Sequence, residues 1–203
     1  SRVAGAERFI FLSSISAQRP SPVGRPHTQP GSEAPVSDYG RSKLAGEQSL
    51  AHGHPDLSVT VLRPSTVYGP GDRDLFALGR ITARGLMPLP PEMELSLLHV
   101  DDLSALVLRV LAVESPGFGP YFVSDGEPVF SSRVADLIEA AVCERPALRL
   151  PVPRPLVSRA APALQSLAEA TGFGRGAARA LFGLTAKAWT CSPWAAMQAF
   201  DWR

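Results

Sequence analysis

The sequence predicts an α/β chain built on a parallel sheet, and three observations carry that expectation. Phe9-Ile10-Phe11-Leu12 is a short apolar run ending in Ser13-Ser14, which suits a strand buried on both faces. Ser37 or Asp38 can cap a helix running from about Tyr39 to Ala51. Ser58 to Arg63 then alternates, with Val59, Val61 and Arg63 opposite Thr60 and Leu62, and its β-branched content predicts a second strand. Strand, helix, strand with a long connection is a right-handed parallel crossover unit.

The remaining segments follow the same logic. Arg19 to Pro35 is rich in Pro, Gly and Ser and reads as loop. Beyond Gly69-Pro70-Gly71, Asp101 or Asp102 can cap a helix whose apolar face is Leu103, Leu106, Val107, Val110 and Leu111. Tyr121-Phe122-Val123 reads as a strand. Ser131 or Ser132 opens an amphipathic helix through Val134, Leu137, Ile138, Ala141 and Val142. After a Pro-studded stretch from Pro146 to Pro155, Ala/Leu-rich helical sequence continues to about Leu184. No internal repeat is visible.

Bulk properties narrow the function classes. At 203 residues the chain can bury one sizeable core, or one core and a small lobe. The 20 Lys+Arg nearly cancel the 19 Asp+Glu, so no general nucleic-acid or polyanion binder is expected. Cys143 and Cys191 make no CxxC pair, which leads us to expect a reduced, cytoplasmic protein. No apolar run reaches the roughly 18 residues of a membrane span.

Tyr39-Gly40-Arg41-Ser42-Lys43 reads Y-x-x-x-K on a helix, and positions i and i+4 share one face. Tyrosine, titrating near pH 10, is a poor base at neutral pH; a lysine cation beside it favours the phenolate and makes it a usable general acid/base. The alternative has Tyr39 on a core-facing stripe with Lys43 reaching to water. Ser14 stands at the carboxyl end of the first strand, where open α/β sheets build their sites, and its hydroxyl could hold a substrate oxygen. His99-Val100-Asp101-Asp102 offers three neighbouring potential ligands with no second cluster, and reads as a strand end and a helix cap rather than a metal site. Gly172-Phe173-Gly174-Arg175-Gly176 follows helical sequence instead of a strand, so it reads as a helix-ending loop and not a dinucleotide fingerprint.

Taken together, "FIFLSSISAQ", "YGRSKLAGEQ", "VLRPSTVYGPGD", "LLHVDDLSALVLRVL" and "YFVSDGEPV" resemble successive blocks of the extended short-chain dehydrogenases/reductases, the NAD-dependent epimerase/dehydratase family, in order and at similar spacing. "WTCSPWAAMQAFDWR" is similar to that family's near-terminal segment. The resemblance implies the C-terminal part of a Rossmann-type doubly wound parallel sheet with a smaller, mainly helical substrate lobe. Residues 1–71 would be the remnant of the cofactor-binding domain. Residues 72–203 would be mostly substrate lobe, with about 95–115 returning to the core.

It further implies NAD or NADP as cofactor, a sugar-nucleotide or similar hydroxyl/keto substrate, and hydride transfer; it allows a homodimer. Tyr39 would be the catalytic acid/base, Lys43 would tune it and bind the nicotinamide ribose, and Ser14 would meet the substrate oxygen, with Ser13 and Ser16 as other occupants of that role. Pro64, Ser65 and Val67 would lie beside the nicotinamide. Arg73 and Arg80 sit where some members contact a substrate phosphate, or are surface arginines. The glycine-rich cofactor turn of the family would lie upstream of Ser1, so a chain truncated at both ends, inactive alone and with an open sheet edge at Phe9–Leu12, is expected. The rival reading is a non-enzymatic scaffold or redox-sensing member of the same fold. Such relatives commonly lack the Tyr/Lys pair present here.

Overall fold

A computed structural model of the chain describes residues 8–31, 33–53, 58–113, 117–171 and 183–202. In chain order it runs β1 (Arg8–Leu12), one 3-10 turn (Ile15–Ala17), α1 (Asp38–Gly53), β2 (Ser58–Pro64), β3 (Thr66–Tyr68), α2 (Arg73–Thr82), β4 (Leu86–Leu89), β5 (Glu94–Leu95) and β6 (Leu97–His99). Then follow α3 (Val100–Ala112), β7 (Tyr121–Val123), β8 (Val129–Phe130), α4 (Ser131–Val142), β9 (Leu148–Pro151), α5 (Arg154–Thr171), β10 (Ala188–Trp189) and α6 (Trp194–Phe200). Two units emerge, one drawn from residues 1–69, 96–128 and 189–203, the other from 70–95 and 129–188.

The first unit holds a parallel sheet in the order β1-β2-β7. Its register runs from Arg8 opposite Ser58 to Leu12 opposite Leu62, and from Leu62 opposite Tyr121 to Pro64 opposite Val123. β2 is central and buried from Val59 to Pro64, so that even Thr60 and Arg63 are shielded from solvent. β1 departs from the expectation of burial on both faces. Ile10 packs against the core and Phe11 lies on Gly46 of α1, but Phe9 and Leu12 are 43% and 41% exposed. At this edge the helices cover only the middle of the strand.

The core of this unit joins Leu62 and Val123 of the sheet to Leu98, Leu106 and Val110, and to Phe200 and Trp202 of the C-terminal segment. α3 is capped by His99, whose imidazole accepts from the Asp101 N–H, and not by Asp101 or Asp102. Those two carboxylates occupy the first turn instead, where the helix dipole favours them. Leu111 is half exposed, so the buried face of α3 is narrower than its apolar periodicity. Near the C-terminus Thr190 and Ser192 exchange backbone hydrogen bonds with His27, and Ser96 and Ser124 donate to the Cys191 carbonyl.

In the second unit β4 pairs with β9 in parallel, β5 pairs with β8 in antiparallel, and Met87, Ala135 and Ala147 form the core. α2 was not legible as a helix, although Asp72 caps it by accepting from the N–H groups of Asp74 and Leu75. Ser131 and Ser132 open α4 as expected, but the capping oxygens come from Glu92, which accepts from the Ser132 N–H and both hydroxyls. Ala135 and Ile138 carry the packing of α4, while Leu137 and Val142 are exposed. The Gly172–Gly176 segment lies outside the described residues. Both cysteines are free, and no helix among the described residues is long and apolar enough to cross a membrane.

Candidate active site

Parallel pairing decides where the chemistry-bearing residues emerge. Because Leu12 sits opposite Leu62, the segments after β1 and β2 leave the sheet at the same end. The Ser13 N–H extends the pairing by one bond, donating to the Leu62 carbonyl at 2.8 Å. Ser14 then caps the 3-10 turn, its hydroxyl accepting from the Ser16 N–H at 3.1 Å. Ser14 is half-buried and Ser13 is buried.

α1 starts beside this turn. Ser37 accepts from the Gly40 N–H at 3.1 Å and so fixes the first helical turn. Gly40 is buried against the Ser16 carbonyl, and a Cβ there would also stand 2.9 Å from Cβ of Pro35. Only glycine lets the start of α1 come this close to the strand-end turn. Tyr39 and Lys43 share a face of the helix as their spacing requires, with Nζ of Lys43 5.7 Å from the Tyr39 ring centroid. That ammonium donates to the Leu12 carbonyl at 2.9 Å and lies 5.3 Å from the Phe11 ring centroid. The lysine is thereby tied to the carboxyl end of β1, one residue before the two serines.

Pro64 ends β2, Ser65 links it to β3, and Val67 lies within β3. Ser65 donates its N–H to the Val123 carbonyl at 2.9 Å, and Val67 pairs with Leu98 between β3 and β6. The Ser65 hydroxyl is buried and has no hydrogen-bond partner among the described residues. An orphaned hydroxyl at a strand end is costly unless water or another polar group satisfies it. Arg73 and Arg80 belong to α2 of the second unit; both are exposed, and the Arg80 guanidinium lies 6.0 Å from the Phe76 ring centroid.

Sequence reasoning missed a buried ionic cluster around Glu47, four residues beyond Lys43 on α1. Arg63 grips both oxygens of Glu47, Nε at 2.9 Å and Nη2 at 2.6 Å, and its Nη1 reaches Glu33 at 3.1 Å. The Ser13 hydroxyl also donates to Glu47. Burial works to raise the Glu33 carboxyl, but hydrogen bonds from the Gly31 and Glu33 N–H groups and from Arg63 outweigh it and hold it below the usual carboxylate range. The signal for Glu47 was available: Tyr39, Lys43 and Glu47 recur every four residues.

Other reactive groups are poorly placed for such chemistry. Burial pushes the Cys191 thiol up to about 12, against opposing hydrogen bonds with Ser124 and Ser96, so it stays an un-ionised thiol at neutral pH. The Tyr68 phenol is raised by burial and by the Asp125 carboxylate beside it, the wrong electrostatic setting for a base. Tyr121 packs edge-on against Phe200, ring centroids 4.9 Å apart.

Compared with known proteins, the chain matches the NAD dependent epimerase/dehydratase family over residues 1–121. It is 34% identical to UDP-glucose 4-epimerase of Vibrio cholerae over 158 residues, covering 74% of this chain and 48% of that protein. Ceramide reductase of Caulobacter vibrioides is 33% identical over 126 residues, covering 61% of this chain and 34% of that protein. Among solved structures, the UDP-glucose 4-epimerase of Thermus thermophilus in complex with NAD matches 97% of this chain and 58% of its own, with a TM-score of 0.70 at 21% identity, a likeness of fold. The chain thus spans about half the length of the first relative and about a third of the second.

Proposed function

This chain belongs to the NAD-dependent epimerase/dehydratase family, and we propose that it carries the acid/base half of a hydride-transfer site, with Tyr39 moving the proton, Lys43 supporting it and Ser14 holding the substrate oxygen. The observation that carries this reading is the Lys43 ammonium, fixed by the Leu12 carbonyl at the carboxyl end of β1 and 5.7 Å from the Tyr39 ring. In the oxidative direction Tyr39 takes the proton of a substrate hydroxyl; in the reductive direction it returns one to the nascent oxygen. Lys43 stabilises the negative charge that this role needs. Ser14 presents a hydroxyl from the turn that Gly40 holds against α1.

NAD or NADP, when bound, supplies the hydride acceptor and donor. The residues fit such a group: Ser65 offers a buried, unpartnered hydroxyl and Lys43 a fixed cation, and Pro64 and Val67 flank Ser65 at a strand end. A sugar nucleotide is the proposed substrate, supported by the 34% identity to UDP-glucose 4-epimerase. A second reading, reduction of a lipid-like ketone, draws support from the ceramide reductase relative. Assay of the full gene product with UDP-glucose and with a keto-ceramide separates the two.

Lys43→Met tests the shared assignment. It should lower turnover by about 100-fold or more and also weaken nicotinamide binding, since one ammonium serves both. Unchanged turnover and cofactor affinity would refute the assignment.

A further inference from the structure

Resting on that assignment, we propose that Glu47 and Arg63 are positioning residues for the Tyr39/Lys43 pair. Tyr39, Lys43 and Glu47 stand at four-residue intervals along one face of α1, so a displacement at Glu47 is carried along the helix to the phenol and the ammonium. The Glu47 side chain is 5% exposed and that of Arg63 1%. Two parallel hydrogen bonds from Arg63 fix the rotation of the Glu47 carboxylate as well as its distance. The same carboxylate accepts from Ser13, the residue before Ser14. The remaining arm of Arg63 holds Glu33, in the loop that leads into α1. The strand end, the loop and the helix therefore meet at one Glu47–Arg63 pair, Ser13 through the carboxylate and Glu33 through the guanidinium, rooted in β2, the most buried strand of the sheet.

Stability alone does not explain this arrangement. Desolvation offsets most of the attraction between buried charges, and a well-packed apolar pair often serves as well. Direction is what the ion pair adds, because two parallel hydrogen bonds of set angle constrain the carboxylate, and the helix that carries it, more narrowly than apolar packing alone. The double replacement Glu47→Leu/Arg63→Met in the full gene product, assayed with NAD and UDP-glucose or, if that is not turned over, a keto-ceramide and NADPH, isolates this effect. The variant should melt close to the wild type, while kcat falls about 100-fold with little change in KM. In a Tyr39→Phe background the same double replacement should cost less than about threefold more, since it acts through Tyr39.

Wild-type kcat in the folded double variant would overturn the proposal. So would a full 100-fold cost repeated in the Tyr39→Phe background, which marks independent damage. If the double variant does not fold, Glu47→Gln, which keeps the volume but leaves the buried Arg63 charge without its partner, should melt lower; assayed below its melting temperature it should show kcat about tenfold down with KM little changed, and an unchanged kcat would again overturn the proposal. Failure of the site assignment is a separate result: it shows as full turnover in Tyr39→Phe itself, or as a wild type inactive on both substrates.

Discussion

Replacing Tyr39 with phenylalanine should lower turnover of the full gene product by about 10²–10⁴-fold, while nicotinamide affinity falls by no more than the roughly tenfold of one lost hydrogen bond. The substitution removes one hydroxyl and keeps the ring, so packing and the neighbourhood of Lys43 survive. The size of the effect follows from the lack of a substitute. Of the chain's three tyrosines, Tyr68 is held as a phenol beside Asp125 and Tyr121 is packed against Phe200. Cys191 is buried and un-ionised. Stopped-flow measurement of nicotinamide reduction in a single turnover, with affinity from fluorescence titration, separates the two quantities. Near-normal turnover in Tyr39→Phe would remove Tyr39 from the chemistry.

Gly40→Ala should be the most damaging single methyl added to this site. A Cβ at position 40 falls well inside contact distance of the Ser16 backbone oxygen and 2.9 Å from Cβ of Pro35, and neither can rotate away. The first turn of α1 must then back off from the strand-end turn that carries Ser14. Overpacking of this kind costs about 1–3 kcal/mol, and a loss of about 2 kcal/mol lowers Tm by roughly 4–8 °C in a chain of this size. Turnover should fall further than stability suggests, by about 100-fold, because the displacement separates Tyr39 from Ser14. Gly46→Ala is the matched control: its Cβ would meet the far end of the Phe11 ring, Cζ at 2.8 Å and Cε1 at 3.3 Å, a side chain that can yield where backbone cannot. Equal melting and turnover in the two variants would contradict the role given to Gly40.

Local periodicity made the first unit legible. The apolar run at Phe9–Leu12, the helix from Tyr39 and the alternation at Ser58–Arg63 each form the element their pattern predicts, and Lys43 lands beside Tyr39 because i and i+4 must share a face. What stayed hidden depends on partners distant in sequence. Arg63 looked like one member of an alternating strand, yet it is 1% exposed, and its partners lie 16 and 30 residues upstream. A charge inside a run of otherwise buried positions demands such a partner, but the strand pattern cannot say which. The cap of α3 was misread for a related reason. His99 accepts a backbone N–H through its ring, so the nearest Asp was the wrong guide, and the Glu92 carboxylate that reaches Ser132 at the start of α4 comes from 40 residues away. In α4, apolar periodicity nominated Leu137 and Val142, whereas the packing is centred on the smaller Ala135.

A crystal structure of the full gene product with bound NAD tests most directly whether Tyr39, Lys43, Ser14 and Ser65 form one site. The expected result has the nicotinamide ribose within hydrogen-bond distance of the Tyr39 hydroxyl and the Lys43 ammonium, with a polar atom of the cofactor or an ordered water satisfying the Ser65 hydroxyl. A nicotinamide bound away from the carboxyl ends of β1 and β2, with Tyr39 and Lys43 untouched, would contradict it.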